Sequence, residues 1–452
     1  MRPSPLPPAR AYNYPSQCAS LFVVSLEFFL GQNSDFALNP FEPLNPYLTE
    51  LNEFTFARLA RLLQGVTPPS GLKPINLSIG EPKHPTPQFI RDAIGQNTDS
   101  LAQYPPTKGS VGLRQTIANW ARNRFVLPAL DAETQVLPVV GTKEAIYSFT
   151  QTVIDPRAAR ALVLVPNPFY MVYEAAATLC GATPYYVNFN AQSGEHEWDD
   201  IPDAVWRDVQ LVLVCSPDNP TGAITTRVRW KWLFEQSDRY GFVLLADECY
   251  SEIYFDEGNA PVGGLQVAAE LGRTDFKRLI AMGSLSKRSN APGLRSGFVA
   301  GDAELIARFL HLRSFNGSAM SGIVAAASIL AWNDEAHVVA NRAEYAKKFR
   351  ELSPLLAKYL PVTMPEAAFY WWLPIPAQFK GDDEAFTRDL FEATGVTVTP
   401  GSYLSRVAAN GVNPGCGYIR IALVSEFDEC HEAVTRICQF LSHSAERISV
   451  AA

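Results

Sequence analysis

From Gln135 onward the chain alternates short, unbroken apolar runs with stretches whose apolar residues recur at helical spacing. The runs are TQVLPVV (134–140), ALVLVP (161–166), TPYYVNF (183–189), QLVLVCSP (210–217), FVLLADE (242–248), RLIAMGS (278–284) and FVAG (298–301). Between them lie AIYSFTQTVI, YMVYEAAATLCG, a stretch near AVWRDV, and RVRWKWLFEQSDRYG, which read as helices. Strands that are apolar on both faces and separated by helices predict an α/β fold: a mostly parallel, seven-stranded sheet sandwiched by helices. In such sheets ligands bind beyond the carboxyl ends of the strands. There the sequence sets Asn219, Asp247, Tyr250 and Lys287.

Residues 46–64 (PYLTELNEFTFARLARLLQ) carry apolar positions at helical spacing and predict one amphipathic helix. INLSIGEPKHPTP follows as a short strand ending in Gly80 and a loop punctuated by proline. Gly80 permits close backbone approach to a ligand, although a simple turn is the plainer reading. QFIRDAIGQN reads as a short helix, then comes a Pro- and Gly-rich loop carrying Tyr104, then a long helix from about Val111. The tight turn Gly141-Thr142-Lys143-Glu144 opens a helix whose N-terminal N–H groups face whatever lies above the strand end, an anion-binding geometry. After about residue 316 a long helical stretch, a strand pair around AAFYWWLPIP, the helix EAFTRDLFEATG, the strands VTVTPGSYL and GYIRIALV and a closing helix predict a smaller α/β domain. The expected organisation is a poorly ordered extension over 1–44, an arm and helix over 45–78 contributing to the small domain, a large domain over 79–315 and the small domain over 316–452.

Composition narrows the function classes. With 452 residues, 47% hydrophobic and 19% charged, the chain can bury a large shared core. A net charge of -8 argues against nucleic acid or an anionic membrane as partner and leaves small anions in local basic pockets. The seven cysteines are odd in number and scattered, and several lie in apolar runs, which suits reduced thiols of a cytoplasmic protein. No CxxC pair or histidine cluster suggests a structural metal. The apolar segment 20–31 is too short to span a bilayer and is interrupted by Glu27. It lacks a signal-peptide cleavage site, so residues 1–44 are expected to be a dispensable extension, with the functional chain starting near Leu44 or Asn45.

The candidate chemistry centres on Ser284-Leu285-Ser286-Lys287, read as a loop at a strand end, with Arg295 eight residues on. A partly desolvated lysine beside another cation is neutral often enough to attack a carbonyl as a Schiff-base lysine. Arg295, Ser284 and Ser286 would hold a phosphate close by. Asp247 closes an apolar strand, where a buried carboxylate needs a cation or donor, and a protonated pyridine nitrogen would meet it. Each residue also has an ordinary reading: Lys287 on a solvated loop, Asp247 as a helix cap, Asn219 as a turn former and Tyr250 as packing. The combination outweighs them.

SPDNPTG, ADECY, SLSK with its following arginine, and GYIRIAL occur in that order, and together they resemble the class I pyridoxal-phosphate aminotransferases, of the fold (fold type I) shared with aspartate aminotransferase. The likeness runs over almost all of residues 46–445. It implies pyridoxal 5'-phosphate as cofactor, with Lys287 binding it covalently and moving the substrate proton. It implies Asp247 on the pyridine nitrogen, Tyr250 and Asn219 on the ring oxygen, and Tyr170 stacked on the ring. Thr142, Lys143, Ser284, Ser286 and Arg295 would hold the phosphate, with Tyr104 reaching it from the neighbouring subunit of a homodimer. Arg420 would take the substrate α-carboxylate, where a planar bidentate donor suits the group, and Gly80 would lie beside the substrate.

Finer features, NPYLTELNEFTFARLARLL, LSIGEPKHPTP, AAFYWWLPIP and GVNPGCGYIRIALV, look like the succinyldiaminopimelate aminotransferases of lysine biosynthesis. That branch implies glutamate as donor to N-succinyl-2-amino-6-oxopimelate. The distal carboxylate calls for a second cation, for which Lys83 is the candidate, with a surface lysine as the equal alternative. The competing expectations are a broad aspartate or aromatic aminotransferase, a carbon-sulfur lyase of the same fold, and a cofactor-binding regulator without turnover. The last is disfavoured by the intact Lys287, Asp247 and Arg420 and by the lack of a basic DNA-binding segment.

Overall fold

A computed structural model describes residues 45–451, with side chains through 443, so the expectations for 1–44 lie outside the described residues. In chain order the strands are β1 (Ile75–Asn76), β2 (Val136–Val139), β3 (Leu162–Asn167), β4 (Thr183–Asn190), β5 (Glu195–His196), β6 (Val209–Cys215), β7 (Val243–Asp247), β8 (Leu279–Ser284) and β9 (Gly297–Gly301). They continue as β10 (Tyr370–Pro374), β11 (Val396–Thr397), β12 (Thr399–Pro400) and β13 (Tyr418–Ala422). The main sheet runs β2-β9-β8-β7-β6-β3-β4-β5. The seven expected strands are all present, and a two-residue eighth, β5, turns back antiparallel on the edge of β4. β9 is antiparallel to both neighbours, whereas β8, β7, β6, β3 and β4 are mutually parallel.

The apolar runs are explained by what covers them. On one face, Leu162, Leu164, Val212, Leu244 and Ala281 pack against the helices Val111–Arg124, Arg227–Tyr240, Gly264–Glu270 and Gly322–Asn333. On the other, Val163, Val165, Leu211, Leu213, Leu245 and Ile280 meet the helices Thr142–Val153, Val172–Leu179 and Ala303–Asn316. Because alternate residues of every strand bury on opposite faces, both sets must be apolar. A third core joins β10, β13 and β11 to the helices Ala336–Leu356, Asp383–Thr394 and Phe427–Ala451.

Three local expectations are corrected. Residues 46–64 do not form one helix: Pro46–Glu50 is a 3-10 turn and the α-helix is confined to Thr55–Leu62. Asn52 donates to Glu174 Oε1 (3.1 Å) and Thr55 to the Tyr403 carbonyl (3.2 Å), long-range bonds that hold the intervening chain out of helical register. Around AAFYWWLPIP only β10 forms, antiparallel to β13, with no second strand beside it from the same stretch. β11 and β12, expected as one strand, belong to two different sheets because β11 pairs with β1 and β12 with β13.

Candidate active site

β6, β7 and β8 run side by side, so their carboxyl ends deliver three polar groups to one edge. The register sets Cys215 opposite Asp247 and Asp247 opposite Met282, two residues before Ser284. Asp247 is 6% exposed and its carboxylate is held by two donors, the Tyr173 hydroxyl on Oδ2 (2.7 Å) and the Cys249 N–H on Oδ1 (3.3 Å). Beyond β6, Asp218 shapes the turn that displays Asn219, its Oδ2 accepting from the Thr221 N–H (3.1 Å) and hydroxyl (2.6 Å). Burial pushes the Asp218 carboxyl up to about 7.

Lys287 lies on a single helical turn, Leu285–Arg288, and not on an open loop as expected. The Ser284 hydroxyl caps that turn by accepting from the Ser286 N–H (3.1 Å), the usual role of a serine at this position. Ser286 itself is buried in the turn. The Lys287 amine donates to the Gly80 carbonyl (2.6 Å), with the Phe369 and Tyr250 rings 5.5 and 5.9 Å away. Burial pulls the amine down to about 8, the charges of Arg420 and Arg295 pushing the same way against Cys249 and Glu81.

An anion cradle stands beside it. The helix Thr142–Val153 begins after Gly141, which offers no side-chain cap, so its first-turn N–H groups have no partner within the helix. A Cβ at Gly141 would overlap the Arg295 guanidinium, which thus lies directly over that N-terminus. Arg295 itself adopts a left-handed backbone (φ 53°), uncommon for a residue with a side chain, as the cap of the 3-10 turn Pro292–Leu294. Thr142 Oγ1 touches Cys249 Sγ (3.0 Å), tying the helix start to the segment after Asp247. The Lys143 side chain turns to the Phe54 ring (5.5 Å).

Arg420 on β13 is 4% exposed. Its Nη1 donates to Asn219 Oδ1 (2.9 Å) and its Nη2 to the Ser78 carbonyl (2.6 Å), while Nε has no partner. The guanidinium packs on the Tyr370 ring (4.6 Å), and the Tyr370 hydroxyl meets that of Tyr250 (2.9 Å). A Cβ at Gly80 would overlap the same Tyr370 hydroxyl, so only glycine fits there. Tyr170 is set edge-to-face on Tyr173 (5.8 Å), and burial, with Asp247 nearby, raises its hydroxyl above the ordinary tyrosine range.

Two candidates stand apart. Tyr104 is fully exposed and touches none of these groups within its own chain. Lys83 is exposed and pairs with Glu429 (3.8 Å), so its charge already has a carboxylate partner. Sequence reasoning missed Tyr173, Cys249, Phe369, Tyr370 and Ser78. Tyr173, one turn after Tyr170 and on the sheet-facing side of its helix, was the only one with a periodic signal.

The set suits a flat, protonated aromatic ring carrying a phosphate: a buried carboxylate on one side, a helix N-terminus with an arginine and a serine on another, and a depressed amine between. The profile of the family described as aminotransferase class I and II matches residues 73–437, and the chain belongs to that family. It is a pyridoxal-phosphate-dependent aminotransferase of fold type I. The chain is 33% identical over 396 residues to the LL-diaminopimelate aminotransferase of Nitratidesulfovibrio vulgaris, covering 86% of this chain and 97% of that one. An aminotransferase of Neisseria meningitidis, known from its crystal structure, matches with a TM-score of 0.84 at 46% identity, over 88% of this chain and 100% of that one. The probable N-succinyldiaminopimelate aminotransferase of Thermus thermophilus shares the fold, with a TM-score of 0.74 at 23% identity over 85% of this chain and 99% of that one.

Proposed function

We propose that the protein moves an amino group between glutamate and a long dicarboxylic keto acid of the diaminopimelate kind, with N-succinyl-2-amino-6-oxopimelate as acceptor. The observation that carries amino-acid recognition is Arg420: a buried guanidinium with Nε unpaired, beside the Lys287 amine, is a receptor for one carboxylate. The name of the Nitratidesulfovibrio relative supports the diaminopimelate skeleton, and the runs LSIGEPKHPTP and GVNPGCGYIRIALV support the succinylated form. Unmodified L,L-diaminopimelate is the second reading, favoured by that same name.

Bound pyridoxal phosphate supplies the electron sink that lets an amino acid lose its Cα proton. Asp247, fixed by Tyr173, would hold the ring nitrogen, Asn219 and Tyr250 the ring oxygen, and Tyr170 the ring face. The N–H groups of Thr142 and Lys143, with Ser284, Ser286 and Arg295, would hold the phosphate. Lys287, with its proton affinity lowered, takes the Cα proton and returns it. Gly80 offers its carbonyl and the close approach that a side chain would block. In a homodimer the exposed Tyr104 would complete the phosphate site of the second subunit.

Glutamate formation from 2-oxoglutarate tests the substrate. The holoenzyme is offered N-succinyl-L,L-diaminopimelate, L,L-diaminopimelate, aspartate, phenylalanine and cystathionine in parallel. The succinylated compound is expected to react fastest, and no glutamate from it rejects the assignment.

A further inference from the structure

Lys287 is gripped through its backbone as well as its amine. Its carbonyl and that of Arg288 both accept from the Asn341 amide, at 3.2 and 3.4 Å. The helical turn Leu285–Arg288 is too short to satisfy its own carbonyls, and Ser289 reaches only that of Leu285. Asn341, on the helix Ala336–Leu356, supplies the missing donors.

The amide is itself fixed from behind. Asn341 Oδ1 accepts from Asn290 Nδ2 (2.8 Å) and faces His84 Nδ1 (3.4 Å), which sets which end of the amide points at the turn. His84 Nε2 lies 2.7 Å from the Lys348 amine. Lys348 is 0% exposed, and its amine also reaches the carbonyls of Leu423 (3.0 Å) and Ser425. Three acceptors around one ammonium match its three donors, so Nε2 accepts and the histidine proton sits on Nδ1, towards Asn341.

The run therefore joins three things the reaction needs in register. His84 follows Gly80 by four residues in the segment whose carbonyl receives the Lys287 amine. Leu423 and Ser425 follow Arg420 by three and five residues. Asn341 touches the turn that carries Lys287. A buried lysine is costly unless fully paired.

We propose that Asn341, oriented by His84 and Lys348, is a positioning residue that sets where the Lys287 amine stands relative to Gly80 and Arg420. This rests on Lys287 being the acting amine, so Lys287→Ala serves as a separate control. In the apoenzyme, Lys287 and Lys83 are labelled together with an acylating ester and quantified by mass spectrometry. Asn341→Ala is expected to change the Lys287 rate by roughly threefold or more and the Lys83 rate by less than about twofold. In the holoenzyme, single-turnover reaction with L-glutamate is expected to slow by roughly 10- to 100-fold, with the half-saturating concentration changed less than about threefold.

Asn341→Asp separates hydrogen bonding from packing, because it is nearly isosteric and keeps the acceptor but offers the two carbonyls no N–H. It is expected to be slowed at least as much as Asn341→Ala. Unaltered Lys287 labelling in both variants overturns the proposal, and so does Asn341→Asp behaving like the unchanged protein. If Asn341→Ala does not fold, Asn341→Asp and His84→Gln carry the same comparison. Persistent amino transfer by Lys287→Ala is the distinct result that defeats the underlying reading of Lys287.

Discussion

Arg420 is a charge whose surroundings leave it little freedom. It is buried, bonded on two sides to Asn219 and the Ser78 carbonyl, and backed by the Tyr370 ring. A lysine there would bring a point charge without the planar fork, and could not serve Asn219, Ser78 and a carboxylate in the same geometry. Arg420→Lys is expected to raise KM for the amino donor about tenfold or more, equivalent to roughly 1.4 kcal/mol, with a smaller fall in kcat. Steady-state kinetics with glutamate check this, and an unchanged KM would remove Arg420 from carboxylate binding. Asp247 stood out in the sequence as a carboxylate closing an apolar strand, whereas Lys287 and Asn219 lie in polar segments and Arg420 inside a strand, and these drew attention only through the ordered motifs around them. Tyr370 was not legible, since inside AAFYWWLPIP an aromatic bonded to Tyr250 looks the same as one that merely fills space. Asn341 was hidden for the opposite reason: on a helix rich in polar residues, nothing in the spacing says which one faces a carbonyl.

At the level of elements, apolar periodicity found the longer strands and most of the longer helices, and among its failures are places where one or two long-range bonds override it. The turn Leu285–Arg288 has too few residues to show a period, and it exists because Ser284 caps one end and Asn341 the other. The helix Ala303–Asn316 went unread beside the longer helical stretch that follows, although Asp302 caps it through the N–H groups of Glu304 (2.8 Å) and Leu305 (3.3 Å). The segment after β1 is limited by space more than by hydrogen bonds. Gly80→Ala would drive a methyl into Tyr370, which is 1% exposed and cannot swing aside. The variant is expected to lose about 1–3 kcal/mol of stability and most of its activity, read by urea unfolding and turnover together. A fully active Gly80→Ala would show that the loop moves freely away from the tyrosine.

For the whole molecule, stability depends on groups outside the chemistry. Glu248 is buried, its Oε1 accepting from the Gly264 N–H (2.6 Å), and burial pushes its carboxyl up from 4.5 to about 8 against the pull of that N–H and of Arg124. Over that interval the folded chain binds a proton that the unfolded chain does not, so this contribution is full below 4.5 and is lost as pH rises through 8. Glu248→Gln keeps the acceptor and never ionises. Its Tm should match the unchanged protein at about pH 5 and exceed it by about 2 °C or more at about pH 9. A lower Tm at the alkaline end would mean that the Arg124 attraction outweighs burial. Among the described residues no helix is long and apolar enough to cross a membrane. The net charge of -8 coexists with the cationic pair Arg420 and Arg295, which shows that bulk composition bounds partners without locating an anion site.

β1 pairs with β11, Ile75 lying beside Val396. A ribosome has to release nearly the entire polypeptide before those two residues meet, whereas every strand of the eight-stranded sheet has already been synthesised by Gly301. Nascent chains stopped near residue 320 would hold Lys287, Asp247 and Arg295 but neither Tyr370, which walls Gly80, nor Arg420, so the proposed site cannot be complete until the later part of the chain has been made.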